Sequence, residues 1–508
     1  MNLTSRSATE LLSLLEARHV AAEEVIEAHI RAIEERDGEI NAIAVPRFSR
    51  ALDEAAAIDK LRVRGHPLGP LAGLPLTVKE CFDLAGTPTT AGVARLQRQP
   101  SEGDAAVVAA LRNAGAVVIG KTNLAQLCWS LETSNPVYGR TNNPWDRYRT
   151  PGGSSGGEGA AVSAQLSPIG IGTDSGGSVR IPAHYCGVHA LKPTSGRLSS
   201  RGTVDELLLS FQPIVTNQPG LLSRHVEDLR LVYELLAASP EAAVATGSAA
   251  RTQGPAAVRA CQADTGKPAS NRRCTVGYFV DSLHPPSAAI QRVLFEAVGE
   301  LESAGFAVCL FEPPSLQRAK ELFDAAFALD RGATLRALSD GSDLDPLVEE
   351  ALLGLAEARV PERFRATGPL VNACEAYRHE FAEAFDAAEI DVLICPPTGV
   401  VAHPHGMSRA LEDLSIMAEL FNLLGMPAGI VSLSRVRQEE EQARPSPTCP
   451  AEVAAARADR GSAGLPVSVQ VAGRHWDEAG VLDVMQLLES RSRETAEYPI
   501  RRSCHFSC

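Results

Sequence analysis

The sequence lacks long hydrophobic runs and an excess of basic residues, and each absence excludes a class of protein. No stretch of about 18 or more apolar residues occurs in the 508 residues, so a transmembrane helix is not expected. The formal net charge of −14 argues against a nucleic-acid-binding surface, because phosphate contacts depend on Lys and Arg. This acidic net charge suits a protein that acts on small or neutral ligands. The first twenty residues lack the apolar core of a signal peptide, so we expect a cytoplasmic protein.

Paired cysteine motifs are also missing. No CxxC pair occurs, and the number of cysteines is odd, eleven in all. This pattern is typical of free thiols in a reducing compartment. In the tail, Cys504 and Cys508 lie on either side of His505, but two Cys and one His fall short of the four ligands of a structural zinc site. We therefore expect no metal site in the tail.

Short apolar segments alternate with helical patterns along the chain. With 44% hydrophobic residues the chain can form an ample core. The alternation favours an α/β fold with a largely parallel or mixed sheet. Strands are predicted at 116–120, 168–171, 275–279, 307–311, 390–395 and 464–471, and helices at 7–36, 51–60, 104–113, 159–166, 228–238, 287–304, 320–365, 417–424 and 478–490. Residues 240–270 are predicted to be a loop, and the charged residues 435–462 an exposed insertion.

Two clusters rich in glycine and serine dominate the segment 150–200. They are Gly152–Gly157 and Asp174–Ser178. Glycine at this density lets backbone N–H groups turn toward one point, and the serines among them are candidate nucleophiles. A purely structural glycine loop is the simplest alternative. A phosphate-binding loop is disfavoured, since no Lys follows either cluster at the position that G-x-x-x-x-G-K-[ST] requires.

A lysine upstream of these clusters stands in an unusual position. Leu76-Thr77-Val78 reads as a buried strand that runs directly into Lys79. Lysines are rarely buried without a partner. From position alone, a functional buried Lys79 and one whose ammonium reaches solvent are equally supported.

The composite pattern resembles the amidase signature family, whose members hydrolyse amides with a Ser–Ser–Lys triad. The resemblance rests on Gly73–Lys79, Gly152–Gly157 and Asp174–Ser178, and it implies that Ser178 is the nucleophile. It also implies that Ser154 is the bridging serine, on a cis peptide bond, and that Lys79 is the base. It covers most of the chain and is densest over 71–203.

The glycine turn also predicts where an oxyanion would bind. Its backbone donors would be the N–H groups of Ser175, Gly176, Gly177 and Ser178. Ser155 is a candidate to hydrogen-bond the serine relay. Arg180 either supports the site or forms a structural salt bridge, and these alternatives stay open.

The implied chemistry requires a neutral Lys79. A serine hydroxyl is weak until a base removes its proton, and an unperturbed lysine has a pKa of about 10.4. Burial at a strand end would lower the pKa of Lys79. No metal or cofactor is implied; the expected partner is a small-molecule amide.

Within this family, several short stretches are most similar to the fatty acid amide hydrolase branch. They include Lys79-Glu80-Cys81-Phe82, Gln126, and Phe421-Asn422. The implied fold is a mixed, largely parallel central sheet covered by helices on both sides. We expect one amidase signature domain over 1–500, followed by a tail at 501–508. Within that domain we expect N-terminal helices at 1–65, a catalytic core at 66–215, a variable substrate-side region at 240–410, and the rest of the core at 411–500.

The expected activity is cleavage of linear carbon–nitrogen amide bonds through an acyl-enzyme, on fatty or aryl acyl amides. The alternative is the amidase subunit of a glutamyl-tRNA(Gln)-type amidotransferase. Gln126 weighs against this alternative, because that branch usually has Glu there. A homodimer is plausible by resemblance.

Overall fold

An eleven-stranded sheet forms the centre of the molecule. The computed structural model describes residues 2–98, 100–244, 274–280, 283–358, 360–364 and 366–499. The strands of this sheet are β1 (Ile43–Pro46), β2 (Pro75–Lys79), β3 (Val117–Thr122), β6 (Ile169–Asp174), β7 (His189–Lys192), β8 (Gln218–Ser223), β9 (Thr275–Tyr278), β10 (Ala307–Leu310), β11 (Val392–Cys395), β12 (Ala428–Arg435) and β13 (Pro466–Gly473). A separate hairpin pairs β4 (Ser134–Asn135) with β5 (Gly139–Arg140). The predicted segment 168–171 corresponds to β6, and 464–471 to β13.

The sheet is mixed, as predicted. Its order is β1-β3-β2-β6-β8-β7-β12-β13-β11-β9-β10. Strands β3, β2 and β6 run parallel to one another, as do β11, β9 and β10 at the other end. Antiparallel pairs join these two groups through β8, β7, β12 and β13. Because β2 and β6 are parallel neighbours, their carboxyl ends meet at one edge of the sheet.

Helices cover both faces of the sheet. They are α1 (Ala8–Glu16), α2 (Ala22–Ile40), α3 (Phe48–Val63), α4 (Ala106–Asn113), α5 (Gly156–Ser163), α6 (Arg180–Cys186), α7 (Val204–Leu208), α8 (Val226–Ala238), α9 (Ala288–Ser303), α10 (Leu316–Phe327), α11 (Ala333–Ser339), α12 (Pro346–Glu357), α13 (Thr367–Ala387), α14 (Ile416–Leu423), α15 (Pro450–Asp459) and α16 (Glu478–Ser492). Helices α5 and α6 pack against each other, while α8, α9 and α16 form a second group. All residues of β6, β8 and β13 are buried, as expected for strands covered on both faces.

Two predicted segments differ from the structure. The helical pattern at 7–36 forms two helices; α1 begins after Ser7, whose side chain and Glu10 make the expected capping box. The segment 435–462 is not simply an exposed insertion, because it contains α15, in which Ala455 and Ala458 are fully buried. Arg444 and Asp459 pair at 2.6 Å within it, both nearly inaccessible to solvent.

Some predictions fall outside the described residues. Most of the predicted loop at 240–270 does, as does the whole tail at 501–508 with Cys504, His505 and Cys508. Over the residues that are described, no helix combines the length and the apolar character needed to cross a membrane.

Candidate active site

Lys79 lies at the carboxyl end of β2 with its side chain fully enclosed. Its exposed fraction is 0%. Nζ lies 2.7 Å from Ser154 Oγ and 2.7 Å from Thr173 Oγ1. Thr173 comes from the neighbouring strand β6, so the parallel pairing of β2 with β6 delivers both side chains to the same edge. The sequence left a buried and a solvent-reaching Lys79 equally supported, and the structure buries it.

Ser154 lies in the turn that leads into α5. The Gly153–Ser154 peptide bond is cis, as the resemblance implied. Gly153 approaches the backbone so closely that a Cβ there would lie 2.4 Å from the Ser130 carbonyl oxygen. Only glycine therefore fits before Ser154. The Ser154 carbonyl accepts the Ala125 N–H at 3.1 Å, which fixes the turn against the segment after β3.

The turn Ser175–Ser178 follows β6 and is held by a buried carboxylate. Asp174 Oδ1 accepts the Gly177 N–H at 2.9 Å, and Oδ2 accepts the Val179 N–H at 3.1 Å. The Arg180 guanidinium also pairs with Asp174 at 2.9 Å, and neither side chain is exposed. Burial raises the pKa of Asp174, but the charge and hydrogen bonds of Arg180 outweigh it and hold that pKa well below its usual range.

Arg180 is built into a polar network below this turn. Its Nη1 donates to Gln470 Oε1 at 2.7 Å, and its Nη2 donates to Asn422 Oδ1 at 2.6 Å. Asn422 in turn donates to Asp174 Oδ1 at 3.0 Å. Of the two alternatives left open for Arg180, these contacts correspond to a salt bridge that anchors the loop.

One of the four predicted oxyanion donors is already occupied. The Gly177 N–H points to Asp174, so it serves the turn itself. Among the described residues, no acceptor takes the N–H groups of Ser175, Gly176 and Ser178. Three of the four predicted N–H groups therefore remain as candidate donors to an oxyanion.

Ser155 contacts the turn through its backbone. Its N–H donates to the Ser178 carbonyl at 3.1 Å, and its Oγ donates to the Thr173 carbonyl at 3.3 Å. Ser155 thus links the segment that carries Ser154 to the segment that carries Ser178. Its hydroxyl bonds the strand end, which differs from the predicted bond to the relay.

Ser178 opens into a cavity of about 610 Å³. Ser154 is 1% exposed, whereas Ser178 is only partly buried. The Phe323 ring of α10 packs on the turn, since a Cβ at Gly176 would lie 3.1 Å from its Cζ. The wall also includes apolar side chains from several elements, namely Trp129, Leu131, Phe327, Leu347, Leu355 and Val360.

The electrostatic environment of Lys79 differs from the sequence prediction. Burial lowers the pKa of Lys79, as expected, but negative charge on Cys128, Cys81 and Asp205 raises it above the ordinary value. Burial also raises the pKa of the Cys81 thiol well above its usual value of 9, so this thiol is uncharged at neutral pH. An uncharged Cys81 thiol does not raise the pKa of Lys79. That pKa therefore depends on whether the other groups around Lys79 are ionised.

A second buried carboxyl connects the strands to α5. Glu158 lies one turn after Ser154, and its oxygens contact Thr77 Oγ1 at 2.6 Å and Thr122 Oγ1 at 2.8 Å. Burial raises the pKa of Glu158 to about 8, although both hydroxyls and Lys79 lower it. Glu158 therefore holds a proton over most of the neutral range.

Sequence reasoning missed several residues of this site. Thr173, Glu158 and Gln470 were not singled out from the sequence, and Asp174 was named only as the first residue of the second glycine cluster. It also missed a thiol–carboxylate group beside Lys79, in which Cys81, Cys128 and Asp205 place their ligand atoms within 4.8 Å of one another. These residues are 47 and 77 positions apart, so ligand spacing could not reveal them. Only the position of Asp174 directly before the glycine turn was a usable signal.

Comparison with known proteins identifies the family. The model of the family described as Amidase matches residues 24–482. Fatty-acid amide hydrolase 1 of Sus scrofa is 31% identical over 452 residues, which cover 83% of this chain and 76% of that protein. The chain therefore belongs to the amidase family, as its motifs indicated, and is a hydrolase of carbon–nitrogen amide bonds.

Two further comparisons set the limits of this similarity. A glutamyl-tRNA(Gln) amidotransferase subunit of Thermobifida fusca is 42% identical, but only over 232 residues, 46% of this chain and 45% of that protein. A solved structure described as fatty acid amide hydrolase superposes with a TM-score of 0.78, at 23% identity over 96% of this chain and 85% of that one. At this identity the structural likeness establishes the fold.

Proposed function

We propose that this protein hydrolyses amides through an acyl-enzyme on Ser178, with Ser154 as the proton relay and Lys79 as the base. The observation that carries the proposal is the buried 2.7 Å contact between Lys79 Nζ and Ser154 Oγ, together with the position of Ser178 in the lining of the cavity. A serine needs an adjacent base to become a nucleophile. Here the base is a lysine whose side chain is fully buried.

The reaction then has two halves. The reactive form has a neutral Lys79, which the raised pKa makes the minor form at neutral pH. In this form Lys79 accepts the Ser154 proton while Ser154 accepts the proton of Ser178, and Ser178 Oγ attacks the amide carbon. The N–H groups of Ser175, Gly176 and Ser178 donate to the developing oxyanion. The proton returns through Ser154 to the leaving nitrogen, the C–N bond breaks, and water then releases the acyl group from Ser178.

The apolar part of the cavity lining supports an acyl group with aromatic or aliphatic character, although charged side chains such as Lys320 and Arg409 line the cavity as well. Trp129 and Phe327 form a tilted aromatic pair with ring centroids 5.3 Å apart, and both line the cavity. Burying apolar acyl surface against such a wall contributes about 25 cal/mol per Å². Fatty or aryl acyl amides are therefore the substrate class we propose.

The amidotransferase alternative has less support. The similarity to the amidotransferase component covers about half of each chain, whereas the similarity to the amide hydrolase covers most of both. Gln126 also has a local role here: its Oε1 accepts the Asp345 N–H at 2.7 Å and its Nε2 donates to the Asp343 carbonyl at 2.9 Å. A partner protein that co-purifies and transfers ammonia would favour the alternative.

A fluorophosphonate probe tests the nucleophile. The adduct should be found on Ser178 by mass spectrometry, and Ser178→Ala should abolish both labelling and amide hydrolysis. Ser175→Ala is the matched control, because Ser175 lines the same cavity and its backbone N–H is unaffected. This control should still be labelled. An adduct on Ser154, Ser155 or Ser175 with Ser178 unmodified would contradict the proposal.

A panel of acyl p-nitroanilides tests the substrate class. If the apolar wall receives the acyl group, kcat/KM should rise from acetyl to longer aliphatic and to benzoyl groups. A profile that falls with acyl size would reject fatty and aryl acyl amides while leaving amide hydrolysis itself intact.

A further inference from the structure

Two thiols and a carboxylate from three separate segments meet beside Lys79. Cys81 follows β2, Cys128 ends the short 3-10 turn Gln126–Cys128, and Asp205 belongs to α7. Their ligand atoms lie within 4.8 Å of one another. Cys81 Sγ lies 3.8 Å from Thr173 Oγ1, the same hydroxyl that Lys79 contacts at 2.7 Å. The group is therefore adjacent to the candidate base, but no step of the proposed reaction uses it.

The spacing of Cys128 and Asp205 matches tetrahedral coordination. Zn–S bonds of about 2.3 Å and Zn–O bonds of about 2.0 Å place a sulfur and an oxygen ligand about 3.5 Å apart. Cys128 Sγ and Asp205 Oδ2 are 3.6 Å apart. Two sulfurs and one carboxylate oxygen also form a ligand set that suits a thiophilic divalent ion rather than Mg²⁺ or Ca²⁺.

The local backbone orients Cys128, and the cavity gives access to it. Leu127 and Cys128 both have left-handed φ values, 54° and 56°, which non-glycine residues rarely adopt. Cys128 lines the cavity together with Ser178, whereas Cys81 is fully buried behind it and Asp205 is 5% exposed. An ion that enters the cavity can therefore reach Cys128 first.

We propose that Cys81, Cys128 and Asp205 form a binding site for a thiophilic divalent metal ion, with Zn²⁺ as the representative ion, and that occupancy inhibits the enzyme. Both thiols lose their protons on binding, and a ligand from the cavity, water in the simplest case, completes the tetrahedron. The proposed metal binding depends only on the positions of the three ligand side chains and not on the proposed function. The inhibition rests on the proposed function, because Cys128 lines the cavity together with Ser178, and an ion bound there with its cavity ligand occupies space that the substrate must enter.

Metal binding is measured without reference to activity. Cd²⁺ is added to the reduced, metal-free full-length protein, and the ultraviolet absorption of thiolate-to-Cd²⁺ charge transfer is followed. The wild type should bind Cd²⁺ through thiolates, and Cys128→Ser and Asp205→Asn should each weaken binding by at least about tenfold, since even loss of an outer partner costs about 10–100-fold. Unchanged binding in both variants would overturn the proposal.

Inhibition is measured with Zn²⁺ and an acyl p-nitroanilide, each variant being normalised to its own metal-free rate. Zn²⁺ should inhibit the wild type, a chelator should restore activity, and Cys128→Ser should need at least about tenfold more Zn²⁺. Cys449→Ser is the matched control. Cys449 belongs to a separate three-ligand group, with His284 and Glu452, so this variant should be inhibited like the wild type.

The outcomes separate the two proposals. Amide hydrolysis by a protein that Zn²⁺ does not inhibit would reject the inhibitory site and leave the proposed function standing. Inhibition lost in Cys449→Ser but kept in Cys128→Ser would assign the effect to the other group and overturn the site. Thiolate binding of Cd²⁺ by a protein that Ser178-directed probes do not label would keep the metal site and reject the proposed function.

Discussion

Replacing Asp174 with Asn should destabilise the protein strongly. The substitution keeps the shape of the side chain and removes its charge, which leaves the fully buried Arg180 guanidinium with only neutral amide oxygens as acceptors, those of Gln470, Asn422 and the new amide. Removing one partner of a buried ion pair costs about 3–5 kcal/mol. The unfolding equilibrium constant should therefore rise by about 10²- to 10³·⁵-fold.

Urea unfolding, followed by circular dichroism and tryptophan fluorescence, measures this loss. Asp386→Asn is the matched control, since Asp386 makes an ion pair with Arg474 but its side chain is 68% exposed. Exposed pairs contribute about 0–1 kcal/mol. If Asp174→Asn lost no more stability than Asp386→Asn, the reasoning that the charge of Asp174 holds this turn would be refuted.

The difference in unfolding free energy between the wild type and Asp174→Asn should also depend on pH, which provides a second check. Arg180 keeps the folded pKa of Asp174 below its unfolded value of 3.8, so the stabilisation is present above that value. The gap between wild type and Asp174→Asn should stay constant from about pH 5 to 8 and narrow as the pH falls below about 4. A gap that persists unchanged at pH 2 would contradict the assignment.

Three further predictions concern the residues around this turn. Lys79→Met should lower kcat for amides by about 10²–10⁴-fold, because it removes the positioned base, while circular dichroism stays native; near wild-type turnover would exclude Lys79 as the base. Gly177→Ala should reduce the rate of Ser178 labelling, since φ is 100° there and the new Cβ would lie 2.7 Å from Ala418 Cβ; equal labelling rates would show that the turn tolerates a side chain. Glu158 has a folded pKa of about 8, against 4.5 ordinarily, so wild-type stability should fall as the pH rises from about 4.5 to 8. In Glu158→Gln this slope should be shallower in urea unfolding at several pH values, because other buried carboxyls with raised pKa values keep part of it. An unchanged slope would assign the whole effect to those other groups.

The sequence identified the parts of the site that lie in continuous motifs. Lys79 ends a strand, and Ser154 and Ser178 lie in glycine clusters, so pattern and resemblance located all three. The side-chain contacts between residues far apart in the chain could not be predicted from these motifs. Arg180 bonds Gln470 across 290 positions, and such a pair carries no local periodicity. Whether Arg180 served the site or the structure could therefore not be decided from sequence.

The fold was predictable where strands are apolar and β-branched. Strand β3 and strand β11 were located to within a few residues. Strand β8 was missed because Gln218-Pro219-Gly220 resembles a turn, although every residue of this strand is buried in the sheet. The segment 435–462 was read as exposed from its charges, but the pairing of Arg444 with Asp459 lets part of it pack inside.

Glu158 links the segments that carry Lys79 and Ser154 to the sheet. Thr77, which it contacts, lies two residues before Lys79, and Glu158 itself lies four residues after Ser154. Lys79 and Ser154 are thus held by β2, β3, β6 and α5, whereas α10 and α12 supply much of the cavity wall. If Lys79 is the base and the wall receives the acyl group, as proposed, we expect mutations in the wall to change which acyl groups are accepted without moving Lys79. Substrate range and chemical step can diverge separately in proteins built on this plan.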